Sequence, residues 1–378
     1  MRLNNPADVT KNIGGIGSRD DEADWLAVLR TALDNWPLPL SSEVNPLVNE
    51  ATRLHQSWLG RHALADAKDP ADPLIVLRAA RVAAYAYPRA DLPTLALAAD
   101  WTAWFFHFDD YFDNGPLGGT EDHARGTVDF IRMAFGRGHG DGAPHRDQSL
   151  CRTREAFADL MIRTGGVMTD WQSKMFGFHL ESYFDALVAE AVNRENGSVP
   201  DVVSYCALRR DTGPALPLLD LIEHTEGILL PRSFHGSSLF DRLMAGAADI
   251  AGWINDVFSA WKERDRGDFH NLALVIQHAN GIDLPEATRL AIDRISERLR
   301  QRNRVESELD AWCLDAGVSP TEQIAIYRWA RGLRDFQHHA DWYVHHARYT
   351  ASGPRSRRTL PVLRRAPRRR LRLRNVTG

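Results

Sequence analysis

Cysteine is scarce in this chain. Three residues in 378, Cys151, Cys206 and Cys313, stand far apart, are odd in number and lack any C-x-x-C spacing. That excludes a disulfide framework and a cysteine zinc site. Long apolar runs are missing too. No stretch reaches about eighteen consecutive apolar residues, so no spanning helix and no stable membrane insertion are expected. The opening MRLNNPADVTKNIGG lacks the apolar core of a signal peptide, which points to a reducing cytoplasm. No segment combines sustained alternation of period two with β-branched enrichment, so a sheet is not expected.

What is present is helical. DDEADWLAVLRTALDNW (20–36) has helical spacing with acids in its first turn, where they suit the positive helix end. PLPLSS breaks it. Further helical runs are predicted from Ser42 and over 72–86, 92–112, 121–136, 149–164 and 168–194. VPDVVSYCALRRDTG and PALPLLDLIEHTEG follow, then runs at 235–264, 284–312, 319–332 and 333–350. The expectation is an all-α bundle of ten or more helices, with no internal repeat and no linker before 350. Residues 1–40 read as a partly helical N-terminal extension. The segment 351–378 reads as a disordered Arg-rich tail.

Charge is uneven. The net value is −4, yet residues 354–378 hold ten Arg and no acid. The rest carries 36 basic against 50 acidic residues, a net charge near −14. A body that acidic is a poor nucleic-acid binder. It can still take an anionic substrate if divalent cations stand between them.

Two constellations carry chemistry. The first ends an unusually aromatic helix: Trp101, Trp104, Phe105, Phe106, His107, Phe108, Asp109, Asp110, Tyr111, Phe112, Asp113. Asp109 and Asp113 are four apart and share a face, where a divalent cation relieves their repulsion. Hard oxygen ligands suit magnesium, which completes its shell with water and substrate phosphate. A solvated acidic helix end is the bland reading, but acids following so many aromatics suggest the rim of an apolar cavity. The second is NDVFSAWKE, residues 255–263. Asn255, Ser259 and Glu263 fall at i, i+4 and i+8, one stripe two turns long. Amide oxygen, hydroxyl and carboxylate form a second set of magnesium ligands. Lys262 adds a cation beside it.

At these motifs the sequence resembles the class I terpene synthases of the microbial branch. That family carries an aspartate-rich motif and an N-D-x-x-S-x-x-x-E motif across the mouth of one cavity. Here the motifs lie 146 residues apart, similar to the family's interval. The diphosphate-sensing Arg, 46 residues before the motif Asn, matches Arg209. The linker and effector positions match Thr212 and Gly213, with Pro214 enforcing a helix break. A closing Arg-Tyr pair matches Arg348 and Tyr349, and a pocket Trp six residues before it matches Trp342.

The resemblance implies a single-domain class I terpenoid synthase fold over residues 41–350, a helical bundle around a central active-site cavity. It implies a lyase that ionises an isoprenyl diphosphate, with farnesyl diphosphate the chosen substrate and geranylgeranyl diphosphate the alternative. Three magnesium ions would assemble with the substrate on Asp109, Asp110, Asp113, Asn255, Ser259 and Glu263. Arg209, Lys262, Arg348 and Tyr349 would hold diphosphate, and Arg209, Thr212 and Gly213 would couple its arrival to ionisation. Trp101, Phe105, Phe106 and Trp342 would line the pocket, where aromatic faces stabilise cations by about 0.5–2 kcal/mol each. Trp104 and Phe108, on other helix faces, are expected in the core.

A chain-elongating prenyltransferase would carry an aspartate-rich motif at its second site, where this chain has the Asn-Ser-Glu type. A class II cyclase needs a D-x-D-D tetrad, which does not occur in the chain. A non-catalytic isoprenoid-binding homologue is the remaining alternative. A homodimer is left open.

Overall fold

The computed structural model describes residues 19–34, 43–65, 72, 74, 78–114, 120–136 and 147–345. Its helices are α1 (Arg19–Asp34), α2 (Val48–Arg61), α3 (Ala79–Ala86), α4 (Leu92–Asn114), α5 (Glu121–Arg132), α6 (Gln148–Gly165), α7 (Asp170–Asn196) and α8 (Val202–Thr212). After them come α9 (Ala215–Asp220), α10 (Ile222–Thr225), α11 (Arg232–His235), α12 (Ser238–Arg266), α13 (Leu272–Asn280), α14 (Leu284–Glu306), α15 (Leu309–Asp315), α16 (Pro320–Phe336) and α17 (Ala340–His345). No strand occurs among the described residues.

Local chemistry sets most of these boundaries. Thr169 and Gln172 form a capping box at the start of α7, and Ser319 and Glu322 form another at α16. Each satisfies two backbone donors that the first helical turn leaves orphaned. Gly267 ends α12 at φ 78° and Gly281 ends α13 at φ 63°, left-handed positions that favour glycine. Pro214 cannot donate a backbone N–H, so α8 stops at Thr212, and Gly213 is extended at φ −79°, ψ 135°.

Two helices organise the interior. Helix α4 packs against α2, α3 and α6, and buries Trp101, Trp104, Phe105, Phe108 and Phe112. The Trp101 ring meets Phe157 of α6 at 5.7 Å and Phe176 of α7 at 5.2 Å. Helix α12 runs through the bundle, packed on α8, α9, α13, α14, α16 and α17. It buries Leu243, Ile250, Ile254, Val257 and Phe258, side chains each stabilising the fold by about 1.5–3 kcal/mol. Helix α1 docks on α14 and α12, with Trp25 in the core and its ring 6.1 Å from Trp261.

Several expected runs are altered. Within the run 72–86, Leu74 is helical and α3 begins at Ala79 after Arg78 at φ 53°, while 73 and 75–77 lie outside the described residues. The run 284–312 divides at Ser307 into α14 and α15. A 3₁₀ turn, Gln337–His339, joins α16 to α17. Helix α13 was not expected: nine residues are too few to show a full period, although Asn271 and Gly281 bracket it as cap and stop. The Arg-rich tail lies outside the described residues.

Candidate active site

Arg209 on α8 points at α12. Its Nε donates to Asp256 Oδ1 at 2.8 Å and its Nη2 to Asn255 Oδ1 at 2.9 Å. The approach is close because Gly252 and Gly213 present no side chain to it. A Cβ on Gly213 would lie 3.1 Å from Arg209 Nη1 and 3.2 Å from the Arg209 carbonyl oxygen. Asp256 is only 1% exposed and also accepts from Tyr205 Oη at 2.7 Å and the Leu272 amide at 3.0 Å. Three donors aimed at two oxygens fit the ionised carboxylate. Burial pushes the Asp256 carboxyl up, while Arg209 and the other donors pull against it. Burial opposes the Arg209 charge as well, but Asp256 and nearby acids outweigh it and hold the guanidinium well above its ordinary value.

The stripe on α12 continues from Asn255. Ser259 Oγ donates to the Asn255 carbonyl at 2.8 Å. Asn271 Nδ2 donates to Glu263 Oε2 at 2.8 Å, to the Asp256 carbonyl at 2.7 Å and, more weakly, to Ser259 Oγ at 3.4 Å. Asn271 Oδ1 meanwhile caps α13 through the Ala273 amide at 2.9 Å. One buried amide thus fixes the register between the metal-type stripe and the next helix. Burial beside Asp256 raises the Glu263 carboxyl to about 7, even with Lys262 nearby.

Asp109 belongs to the same electrostatic neighbourhood. Its side chain is exposed to solvent on one side, while protein atoms crowd the other. That crowding raises its pKa to about 6, with Arg209 and Lys262 opposing and Asp110 and Glu190 reinforcing. Helices α4, α8 and α12 therefore bring Asp110, Arg209 and Lys262 within electrostatic reach of Asp109. Asp113 sits in the last turn of α4, but its side chain is outside the described residues. Arg348 and Tyr349 are also outside them.

The donor chemistry fits a hard divalent cation. Burial pushes the carboxyls of Asp109 and Glu263 up, and a divalent cation bound at each would offset that cost. Asn255, Ser259 and Glu263 offer only oxygen on their shared face. Among the described residues no three His, Cys, Asp or Glu side chains close on one point. The candidate set mixes amide, hydroxyl and carboxylate oxygens, donors that suit such an ion.

The four aromatics expected to line the pocket divide. Trp101 is 0% exposed and Phe105 1%, so neither faces open space. Their rings stack at 5.4 Å, and Trp101 Nε1 donates to Thr164 Oγ1 at 2.8 Å, between α4 and α6. Both lie on the α4 face turned to α6 and α7, and Trp342 is buried as well. Phe106 is half-buried, three residues before Asp109, with its ring 6.2 Å from Trp342. Trp342 adjoins Tyr343, which stacks on Phe258 at 5.4 Å. Trp104 and Phe108 are core, as expected. Thr212 is buried, and its hydroxyl has no hydrogen-bond partner. A separate recess of about 450 Å³, bordered by Glu223, His224, Leu229 and Arg328, touches none of the motif residues.

Sequence reasoning did not single out Tyr205, Glu190, Asp256, Asn271 or Tyr343. Asp256 was visible within the N-D motif, and Asn271 as a cap before an apolar run. Tyr205 and Tyr343 carry no local signature, since their partners lie 51 and 88 residues away.

Known proteins resemble this chain in sequence and in fold. Residues 100–301 match the family model described as terpene synthase family 2, C-terminal metal binding. Pristinol synthase of Streptomyces pristinaespiralis is 30% identical over 330 residues, 86% of this chain and 86% of its own length. Isoafricanol synthase of Streptomyces violaceusniger is 31% identical, covering 89% of this chain and 88% of its own. The (+)-T-muurolol synthase of Roseiflexus castenholzii, described as (2E,6E)-farnesyl diphosphate cyclizing, is 38% identical over 56% of this chain and 63% of its own. Among solved structures, germacradien-4-ol synthase from Streptomyces citricolor superposes with TM-score 0.69 at 26% identity, over 82% of this chain and 97% of that one. A cucumene synthase variant reaches TM-score 0.72 at 27% identity, over 83% and 99%. With an all-α fold and a family domain named for metal binding, the chain belongs to the class I terpene synthases, lyases that act on isoprenyl diphosphates.

Proposed function

We propose that this enzyme converts farnesyl diphosphate to a cyclic sesquiterpene hydrocarbon or alcohol, with magnesium as its metal and three ions gathered when substrate binds. The observation that supports the reading is that α8 and α12 carry cations within electrostatic reach of Asp109 on α4. Arg209 and Lys262 both act on Asp109, and Arg209 donates a hydrogen bond to the first residue of the Asn255–Ser259–Glu263 stripe. The substrate length is supported by the relatives, one of which is named for cyclising farnesyl diphosphate.

Asp109, with Asp110 and Asp113, and the stripe on α12 would hold the ions. Bound magnesium would supply positive charge against the diphosphate leaving group. Arg209 and Lys262, joined by Arg348 and Tyr349, would donate to diphosphate oxygens. Charge gathers on those oxygens as the allylic carbon–oxygen bond breaks and its electron pair departs with diphosphate. Fixed donors aimed at that charge stabilise the transition state more than the ground state. Gly213, extended where α8 stops, would place its backbone dipole near the new cation, with Thr212 linking it to Arg209. A distal alkene of the same chain then attacks the allylic cation. Phe106 and Trp342 would exclude water and present π faces to the charge. Loss of a proton or capture of water ends the sequence.

The test is incubation of the purified chain with geranyl, farnesyl and geranylgeranyl diphosphates, with magnesium or with chelator, followed by gas chromatography–mass spectrometry. Cyclic C15 product that requires magnesium is expected. Product from geranylgeranyl diphosphate alone would overturn the substrate, and no cyclic product from any of the three would overturn the function.

A further inference from the structure

Asn255 is held at both ends. An arginine can only donate, so the amide atom facing Arg209 Nη2 at 2.9 Å is the oxygen. The nitrogen then faces the other way, where Nδ2 donates to Tyr343 Oη at 2.9 Å. Tyr343 is 4% exposed, and its ring lies flat on Phe258 at 5.4 Å with an interplanar angle of 11°. Phe258 is three residues along α12 from Asn255, so the helix that carries the amide also seats the ring that holds it. Trp342, beside Tyr343, meets Phe106 one turn before Asp109.

We infer that Tyr343 is a positioning residue that fixes the orientation of the Asn255 amide, keeping Oδ1 toward Arg209 and Nδ2 toward α17. The inference rests on the proposed role of Asn255 as an ion ligand. An amide has one useful oxygen. Turned by 180° it presents an N–H₂ that cannot bind a cation and repels it. In the free enzyme two anchors oppose that rotation, Arg209 and Tyr343. Once Arg209 donates to diphosphate, one anchor is lost and Tyr343 remains. Its hydroxyl therefore contributes most when diphosphate and metal are bound together, and least to the fold alone.

The experiment compares wild type, Tyr343→Phe, Asn255→Asp and the double variant. Phenylalanine keeps the stacked ring and removes only the hydroxyl. An aspartate at 255 has two equivalent oxygens, so orientation no longer matters there. Three quantities are measured: the melting temperature of the metal-free protein, binding of inorganic diphosphate with titrated magnesium by calorimetry, and turnover. For Y343F the expected result is a metal-free melting temperature within about 2 °C of wild type. Its half-saturating magnesium in the presence of diphosphate should rise about fivefold to tenfold, the worth of one hydrogen bond. In the N255D background the same tyrosine change should shift magnesium dependence less than about twofold. Equal penalties in both backgrounds, or an unchanged magnesium requirement in Y343F, would overturn the positioning role. The reading it rests on is tested apart by Asn255→Ala: unchanged magnesium dependence there would overturn the ligand assignment itself, whatever Tyr343 does.

Discussion

Asp256→Asn is the sharpest single perturbation of this site. The substitution keeps the volume and removes the charge. Asp256 is 1% exposed and accepts from Arg209, Tyr205 and the Leu272 amide at 2.7–3.0 Å. An asparagine has one acceptor oxygen for these three donors, and its N–H₂ must face one of them. Arg209 keeps a charge whose side chain is only 14% exposed and loses its closest counter-ion. Breaking a buried pair by removing one partner costs about 3–5 kcal/mol. For a chain of this size that lowers the melting temperature by roughly 4–6 °C. Tyr205→Phe is the internal control: it deletes one donor and leaves the ion pair, at a cost of about 1 kcal/mol. Differential scanning fluorimetry gives the melting temperatures, and product yield reports whether Arg209 still aims at diphosphate. If D256N melts within about 2 °C of wild type and turns over at a similar rate, the pair does not hold Arg209 and the site has been misread.

Gly213→Ala places a methyl 3.1 Å from Arg209 Nη1 and 3.2 Å from a fixed carbonyl oxygen. Turnover should fall about tenfold or more while the melting temperature moves little, and a normal rate would show that the guanidinium yields freely. Trp101→Ala and Phe106→Ala should separate: loss of fully buried Trp101 costs about 3–5 kcal/mol, while loss of half-buried Phe106 changes the product distribution by gas chromatography at small cost in stability. The opposite pattern would reverse the assignment of the two α4 faces. The raised carboxyls also set a pH window. Folded pKa values of about 6 for Asp109 and about 7 for Glu263 lie above their ordinary values of 3.8 and 4.5. Their contribution to metal-free stability is therefore fully present below about pH 4 and is lost as pH rises through 6 to 7. Glu263→Gln should flatten that decline in a melting-temperature profile, and magnesium should protect wild type more as pH rises. A profile unchanged by E263Q would refute the shift.

Much of this was legible along the chain. The stripe Asn255–Ser259–Glu263 follows from helical geometry alone, since residues four apart share a face whatever surrounds them. The break at Pro214 follows from a missing N–H, and the capping boxes at Thr169 and Ser319 from side chains three residues apart. Less legible were features that depend on which helix faces which. Trp101, Phe105 and Phe106 sit within six residues on one apolar helix. That helix is buried nearly all round, so periodicity gave no direction to separate the face toward α6 and α7 from the face toward α17. Helix α13 hid because its nine residues complete too few turns.

The order of residues by itself determined the all-helical class, the positions of the caps and breaks, and the two oxygen-rich stripes, because these depend on atoms only a few bonds or one turn apart. Tertiary structure alone decided that Arg209 rests between Asp256 and Asn255, that Asn271 ties Glu263 to the cap of α13, and that Tyr343 meets an amide 88 residues earlier. Such contacts join segments whose separation along the chain carries no preferred distance. Only the packing of whole helix faces, driven by burial of their aromatic and aliphatic side chains, brings them together.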